Sequence, residues 1–159
     1  IAGDISLNGQ GALEENVRKM AKTLAHRGPD DAGIWLDAKS GVALGHQRLS
    51  IIDLSVEGHQ PMPSSCGRYV IVYNGEIYNF QEIREQLVAK GHVFKTRCDT
   101  EIIVHGWEEW GEACVERFNG MFAFGIWDRN RGCVFLSRDR IGIKPRKWFI
   151  QKNDIGVVQ

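Results

Sequence analysis

The sequence predicts an α+β domain in which antiparallel sheets carry helices layered on them. Three observations lead there. Candidate strands outnumber candidate helices and fall in hairpin pairs. Glycine supplies 18 of the 159 residues, above the usual ~7% and in keeping with many tight turns. The candidate helices each have an apolar stripe that needs a surface to lie on.

Taken in order, residues 1 to 7 read as a short strand (Ile1, Ile5, Leu7) ending at Asn8-Gly9. Leu13, Val17, Met20 and Leu24 recur at helical spacing, with Glu14 and Arg18 an i,i+4 pair on another face. Gly28-Pro29 stops this helix. Ala32 to Asp37 and Val42 to Gln47 are strands around the turn-like Ala38-Lys39-Ser40-Gly41. Residues 53 to 67 show no period. Arg68 to Tyr73 is apolar or aromatic almost throughout, as expected of a strand covered on both faces. Asn79 to Gly91 is a second helix, with Asn79 and Glu82 in a capping-box pattern, Phe80, Ile83 and Leu87 inward, and Gly91 at its end. Asp99 caps a third helix whose stripe is Ile103, Trp107 and Trp110. Met121 to Asp128 and Cys133 to Asp139 form a hairpin around residues 129–132, and Lys147 to Ile150 with Ile155 to Val158 form a last one.

Composition excludes several classes of function. At 43% hydrophobic and 25% charged residues, the chain is neither disordered nor fibrous. Twenty basic residues balance twenty acidic ones, which removes any bulk electrostatic case for nucleic acid or a membrane surface. Apolar runs such as Tyr69 to Tyr73 are too short to span a bilayer, and no basic-then-apolar leader is expected. Cys66, Cys98, Cys114 and Cys133 have no zinc-type spacing, so no metal site is expected and all four read as buried free thiols in a reducing cytoplasm. The last 32 residues carry eight basic and three acidic side chains. This patch reads as a solvated or internally neutralised face, with docking to a partner domain as the alternative.

Four polar stretches stand out: His26-Arg27-Gly28-Pro29-Asp30, Arg48-Leu49-Ser50-Ile51-Ile52-Asp53, Tyr73-Asn74-Gly75-Glu76-Ile77-Tyr78-Asn79 and Cys98-Asp99-Thr100-Glu101. Each alone has an ordinary reading. Asn74-Gly75 is the signal of a type I′ hairpin turn, Asp99 is a helix cap and Arg48 a surface arginine. Together, in this order and spacing, they resemble the glutaminase domain of class II glutamine amidotransferases, in the asparagine-synthetase branch. Ile1-Ala2-Gly3 and Ser137-Arg138-Asp139-Arg140-Ile141-Gly142-Ile143-Lys144-Pro145 resemble that family's opening and closing segments, so the likeness runs from residue 1 to about 145. After Pro145 the sequence departs from the family's usual Leu-Tyr-Tyr.

The resemblance implies an N-terminal-nucleophile hydrolase fold, a four-layer αββα sandwich of two antiparallel sheets, over residues 1–159. It implies that L-glutamine is hydrolysed to glutamate and ammonia through a cysteinyl thioester, the ammonia feeding an asparagine-synthetase-like amidation. Arg48 would hold the substrate carboxylate in a bidentate, charge-assisted pair, and Asp99 the α-ammonium. Leu49, Ile51, Ile52 and Glu76 would complete the pocket. The Asn74 side-chain amide and the Gly75 N–H would form the oxyanion hole. No cofactor is expected in this domain, ATP and Mg²⁺ belonging to a synthetase domain expected beyond it. No nucleic-acid or membrane partner is implied, and a homodimer is left open.

In that family the nucleophile is an N-terminal cysteine whose own α-amine, of pKa near 7.7–8.0, serves as base. Ile1 aligns two residues after it. A Met-Cys-Gly segment ahead of Ile1 is therefore expected, with deliberate truncation or natural loss as alternatives. A catalytically inactive glutamine-binding module is the second reading of function. A peptidase-type relative is disfavoured, because a zwitterion clamp suits a free amino acid.

Overall fold

β2 (Asp31–Asp37) and β3 (Val42–Arg48) form the expected hairpin, with Asp37 opposite Val42 and Asp31 opposite Arg48. β1 (Ala2–Ile5) adds to the other edge of β3, Ala2 opposite Gly45, giving an antiparallel sheet ordered β1-β3-β2. The structure is a computed structural model that describes residues 1–5, 12–50, 56–139 and the backbone of 146–151. A second antiparallel sheet is ordered β4-β5-β6-β7-β8. Its strands are β4 (Met62–Pro63), β5 (Tyr69–Ile77), β6 (Gly120–Asp128), β7 (Cys133–Arg138) and β8 (Arg146–Gln151). The helices are α1 (Leu13–Thr23), α2 (Phe80–Ala89) and α3 (Asp99–Trp110).

The layering follows from the two-residue period of the strands. On β3, Ala43 packs with Leu13 and Val17 of α1, while Val42 and Leu44 point the other way. They meet Val70 and Val72 of β5, Trp127 and Val134, which fill the space between the sheets. The alternate β5 residues Ile71 and Tyr73 join Phe124 and Phe135 against Ile83, Leu87, Ile103 and Trp107 of α2 and α3. Three apolar interfaces thus separate four layers, α-β-β-α, as the sequence and its resemblance led us to expect. No described helix is long and apolar enough to cross a membrane.

Several local expectations are corrected. Met20 is 38% exposed and Ala21 is buried in its place. With Leu13 and Val17, it continues a row of i+4 spacing along α1. The Asn79 side chain does not cap α2; its amide donates to Arg117 O and its oxygen accepts from Asn119 N–H. Asp99 is the first residue of α3 rather than its cap, which is Cys98. Asn74-Gly75 is no turn, because β5 stays paired with β6 from Tyr69 opposite Asp128 to Ile77 opposite Gly120. Cys66 is exposed, whereas Cys98, Cys114 and Cys133 are buried, and all four are free. Lys147 to Ile150 lies within β8, but residues 155–158, Leu7 and the Arg140 to Pro145 part of the closing motif fall outside the described residues.

Candidate active site

Four residues of β3 share the face turned to the second sheet: Val42, Leu44, His46 and Arg48. The first two are core. At the end of the strand the same face becomes polar, with His46 and Arg48 both buried. Arg48 is positioned by a glycine. A β-carbon on Gly58 would stand 2.1 Å from Arg48 Nη2 and 2.7 Å from Cζ, so the guanidinium packs against that backbone in space only glycine leaves open.

Tyr73 joins the site's elements. Its carbonyl accepts a hydrogen bond from His46 Nε2–H at 2.8 Å, and its own N–H donates to Gln60 Oε1 at 2.6 Å. Its hydroxyl donates to Asp99 Oδ2 at 2.5 Å, the oxygen that also accepts from Ile77 N–H at 3.1 Å. Burial, then the neighbouring Asp99 carboxylate, pushes the Tyr73 phenol well above its ordinary pKa, so it remains a donor. Gln60 Nε2 donates to Thr100 Oγ1 at 3.3 Å. The first turn of α3 is thereby bound to β5 and to the Gln60 segment.

His46 is held neutral. Burial first, then the positive charge of the α-ammonium at Ile1 and, less, of Arg48, lowers its pKa to about 4. The bond from Nε2–H to a carbonyl fixes the tautomer, and Nδ1 has no hydrogen-bond partner among the described residues.

These groups surround a cavity of about 70 Å³ lined by His46, Arg48, Gln60, Tyr73, Asp99 and Thr100, together with Leu49, Gly58, Asn74, Gly75 and Cys98. Of the residues expected at a site, Arg48, Leu49, Asn74, Gly75 and Asp99 therefore share one wall system. Glu76 is exposed one residue further along β5 and is not among the lining residues. Ile51 and Ile52 lie outside the described residues.

Gly75 is needed where it stands: its φ is +148°, and a β-carbon there would come within 2.2 Å of Met121 O. Cys98 lines the cavity, but burial raises its thiol pKa, which makes it a poor nucleophile.

Tyr73, Cys98 and Thr100 stand inside the motif stretches but carried no assigned role there, and His46, Gly58 and Gln60 lie outside those stretches. His46 has a sequence signal, being two residues before Arg48 on a strand; Gln60 and Gly58 have none.

The sequence profile of the glutamine amidotransferase domain matches residues 1–158. The chain belongs to this family. The domain is 42% identical over 134 residues to asparagine synthetase [glutamine-hydrolyzing] 3 of Bacillus subtilis, a match covering 83% of this chain and 21% of that protein. It is 40% identical over 162 residues to putative asparagine synthetase [glutamine-hydrolyzing] 2 of Methanocaldococcus jannaschii, covering 92% and 31%. Among solved structures it resembles glutamine phosphoribosylpyrophosphate amidotransferase from B. subtilis, with a TM-score of 0.66 at 20% identity over 80% of this chain and 35% of that one. The amidotransferase chain thus spans between about a fifth and a third of these curated relatives.

Proposed function

We propose that this domain hydrolyses L-glutamine to glutamate and ammonia, and that the ammonia is consumed by an ATP-dependent, asparagine-synthetase-like amidation elsewhere in the full protein. The observation that carries the reading is that Arg48 and Asp99, 51 positions apart in sequence, line one cavity beside Asn74 and Gly75. A free amino acid presents one anion and one cation, and this cavity offers a fixed partner for each. Asp99 spends Oδ2 on Tyr73 and Ile77, and its Oδ1 is the oxygen for the substrate ammonium.

The nucleophile in this proposal is a cysteine two positions before Ile1. The β1–β3 register supports it. Ala2 faces Gly45, so a strand carried back in the same register would bring that position opposite Arg48, on the face toward the cavity. The thiol gives its proton to its own α-amine and its sulfur attacks the amide carbon. Asn74 and the Gly75 N–H then stabilise the oxyanion. Ammonia departs carrying that proton, and water, deprotonated by the same amine, cleaves the thioester to glutamate.

The test uses protein that includes the residues preceding Ile1. Ammonia and glutamate should appear in equal amounts from L-glutamine, and a Cys→Ala change at the nucleophile should abolish release while glutamine still binds. Binding without release by the unaltered protein would favour the non-catalytic module, and absence of binding would remove both readings. A cytoplasmic setting is part of the same proposal, supported by the free thiols.

A further inference from the structure

Outside the glutamine cavity, three side chains bring ligand atoms toward one point. His92 follows α2, and His105 and Glu108 stand three residues apart on one face of α3. His92 Nδ1 and His105 Nδ1 are 3.2 Å apart, and His105 Nδ1 is 3.1 Å from Glu108 Oε2. The ligand atoms of all three residues lie within 4.8 Å of one another. In a tetrahedral site with bonds of ~2.0–2.1 Å, neighbouring ligands are roughly 3.3–3.4 Å apart. Two of the three edges are therefore already close to that length.

The outer nitrogens carry a second, independent signal. His92 Nε2 lies 3.2 Å from Glu109 Oε2, and His105 Nε2 lies 3.5 Å from Glu101 Oε1. A histidine that ligates a metal through one nitrogen typically turns the other N–H to a carboxylate, which fixes its tautomer and strengthens it as a ligand. With the Nε2 protons turned outward, both Nδ1 atoms and a Glu108 oxygen face one point, where a metal ion would take the place of the proton between His105 and Glu108. The side chains are largely withdrawn from water, at 16% exposure for His92, 5% for His105 and 18% for Glu108. The other Glu108 oxygen, Oε1, accepts from the Cys66 thiol at 3.1 Å, which orients the carboxylate.

We propose that His92, His105 and Glu108 bind a borderline divalent cation, zinc by ligand type, with water in the fourth position. Two imidazoles and a carboxylate suit zinc rather than magnesium or calcium. Binding displaces to solvent the proton shared between His105 Nδ1 and Glu108. The ion ties the α2–α3 connection to α3. Because α3 starts at Asp99, it holds in place the helix that presents one wall of the cavity. The site stands independently of the glutaminase reading.

The experiment titrates zinc chloride into chelator-treated protein, with calorimetry and elemental analysis as readouts, and cobalt(II) as a spectroscopic stand-in. The result expected is one zinc per chain, and a cobalt form with intense visible bands of tetrahedral type and no near-ultraviolet sulfur charge-transfer band. Cys66→Ser should take up zinc as the parent does. His92→Ala, outside any helix, should leave far-ultraviolet dichroism unchanged and weaken zinc binding by more than the ~10–100-fold that loss of an outer partner costs. Glu108→Gln, nearly the same size, should do likewise. Failure of the parent protein to take up one zinc, or equal uptake by His92→Ala and Glu108→Gln, would overturn the site.

Discussion

Tyr73 and Asp99 are joined by a 2.5 Å hydrogen bond from the tyrosine hydroxyl to Asp99 Oδ2. A strand residue facing the helical layer thereby sets the position of a carboxylate on the first turn of α3. Hydrogen bonds to charged groups are worth about 1.5–3 kcal/mol. In Tyr73→Phe, KM for glutamine should rise roughly tenfold with a much smaller change in kcat, because Asp99 retains only the Ile77 N–H. Steady-state ammonia release measures both constants. An unchanged KM would show that Asp99 needs no such support.

Gly58→Ala tests the seat of Arg48. The added methyl would stand 2.1 Å from Nη2, the flexible end of a side chain, so the guanidinium must move while the fold survives. Glutamine affinity should drop at least ~10-fold with the thermal midpoint changed by only a few degrees. Calorimetric binding and thermal unfolding on the same sample separate the two effects.

Asn74 and Gly75 should respond differently although they are neighbours. Asn74 is exposed on β5, and in the proposed oxyanion hole Asn74→Ala should lower kcat by about 10²–10³ with little loss of stability, the cost of losing one such donor. Gly75→Ala meets the Met121 carbonyl at 2.2 Å with φ at +148°, so it should disturb the β5–β6 pairing and lower stability as well as turnover. Thermal unfolding of both variants beside their turnover checks the contrast.

His46 should give the domain a pH dependence of known sign. Its folded pKa is about 4 against an ordinary 6.5. Between those values the unfolded chain binds the extra proton, so stability rises with pH through that window and is lost as pH falls from about 6.5 toward 4. The upper limit of the effect is on the order of 3 kcal/mol. The difference in unfolding free energy between the parent and His46→Gln should narrow across this range. Parallel curves would contradict the assignment.

What could be read from the sequence divides along physical lines. The β2–β3 hairpin, the α2 stop at Gly91 and the α+β class with antiparallel sheets rest on local turn chemistry and apolar periodicity, and these survive folding; the four-layer order is what the family resemblance implied. Asn74-Gly75 misleads as a dipeptide because its turn preference is overridden by nine consecutive pairings between β5 and β6. Asp99 carries the composition of a cap, but a buried tyrosine hydroxyl and the Ile77 N–H claim its oxygen. Gln60 and the His92–His105–Glu108 cluster are legible only in three dimensions, since their partners are brought together by the packing of loops on α3.

The central claim is that fixed charges at Arg48 and Asp99 grip a free amino acid, and calorimetric titration of Arg48→Ala with L-glutamine tests it most directly. The account predicts that affinity drops at least ~100-fold, the loss of a bidentate charge-assisted pair, in a protein whose unfolding temperature is close to the parent's. Affinity within about threefold of the parent, a difference of under ~1 kcal/mol, would contradict it.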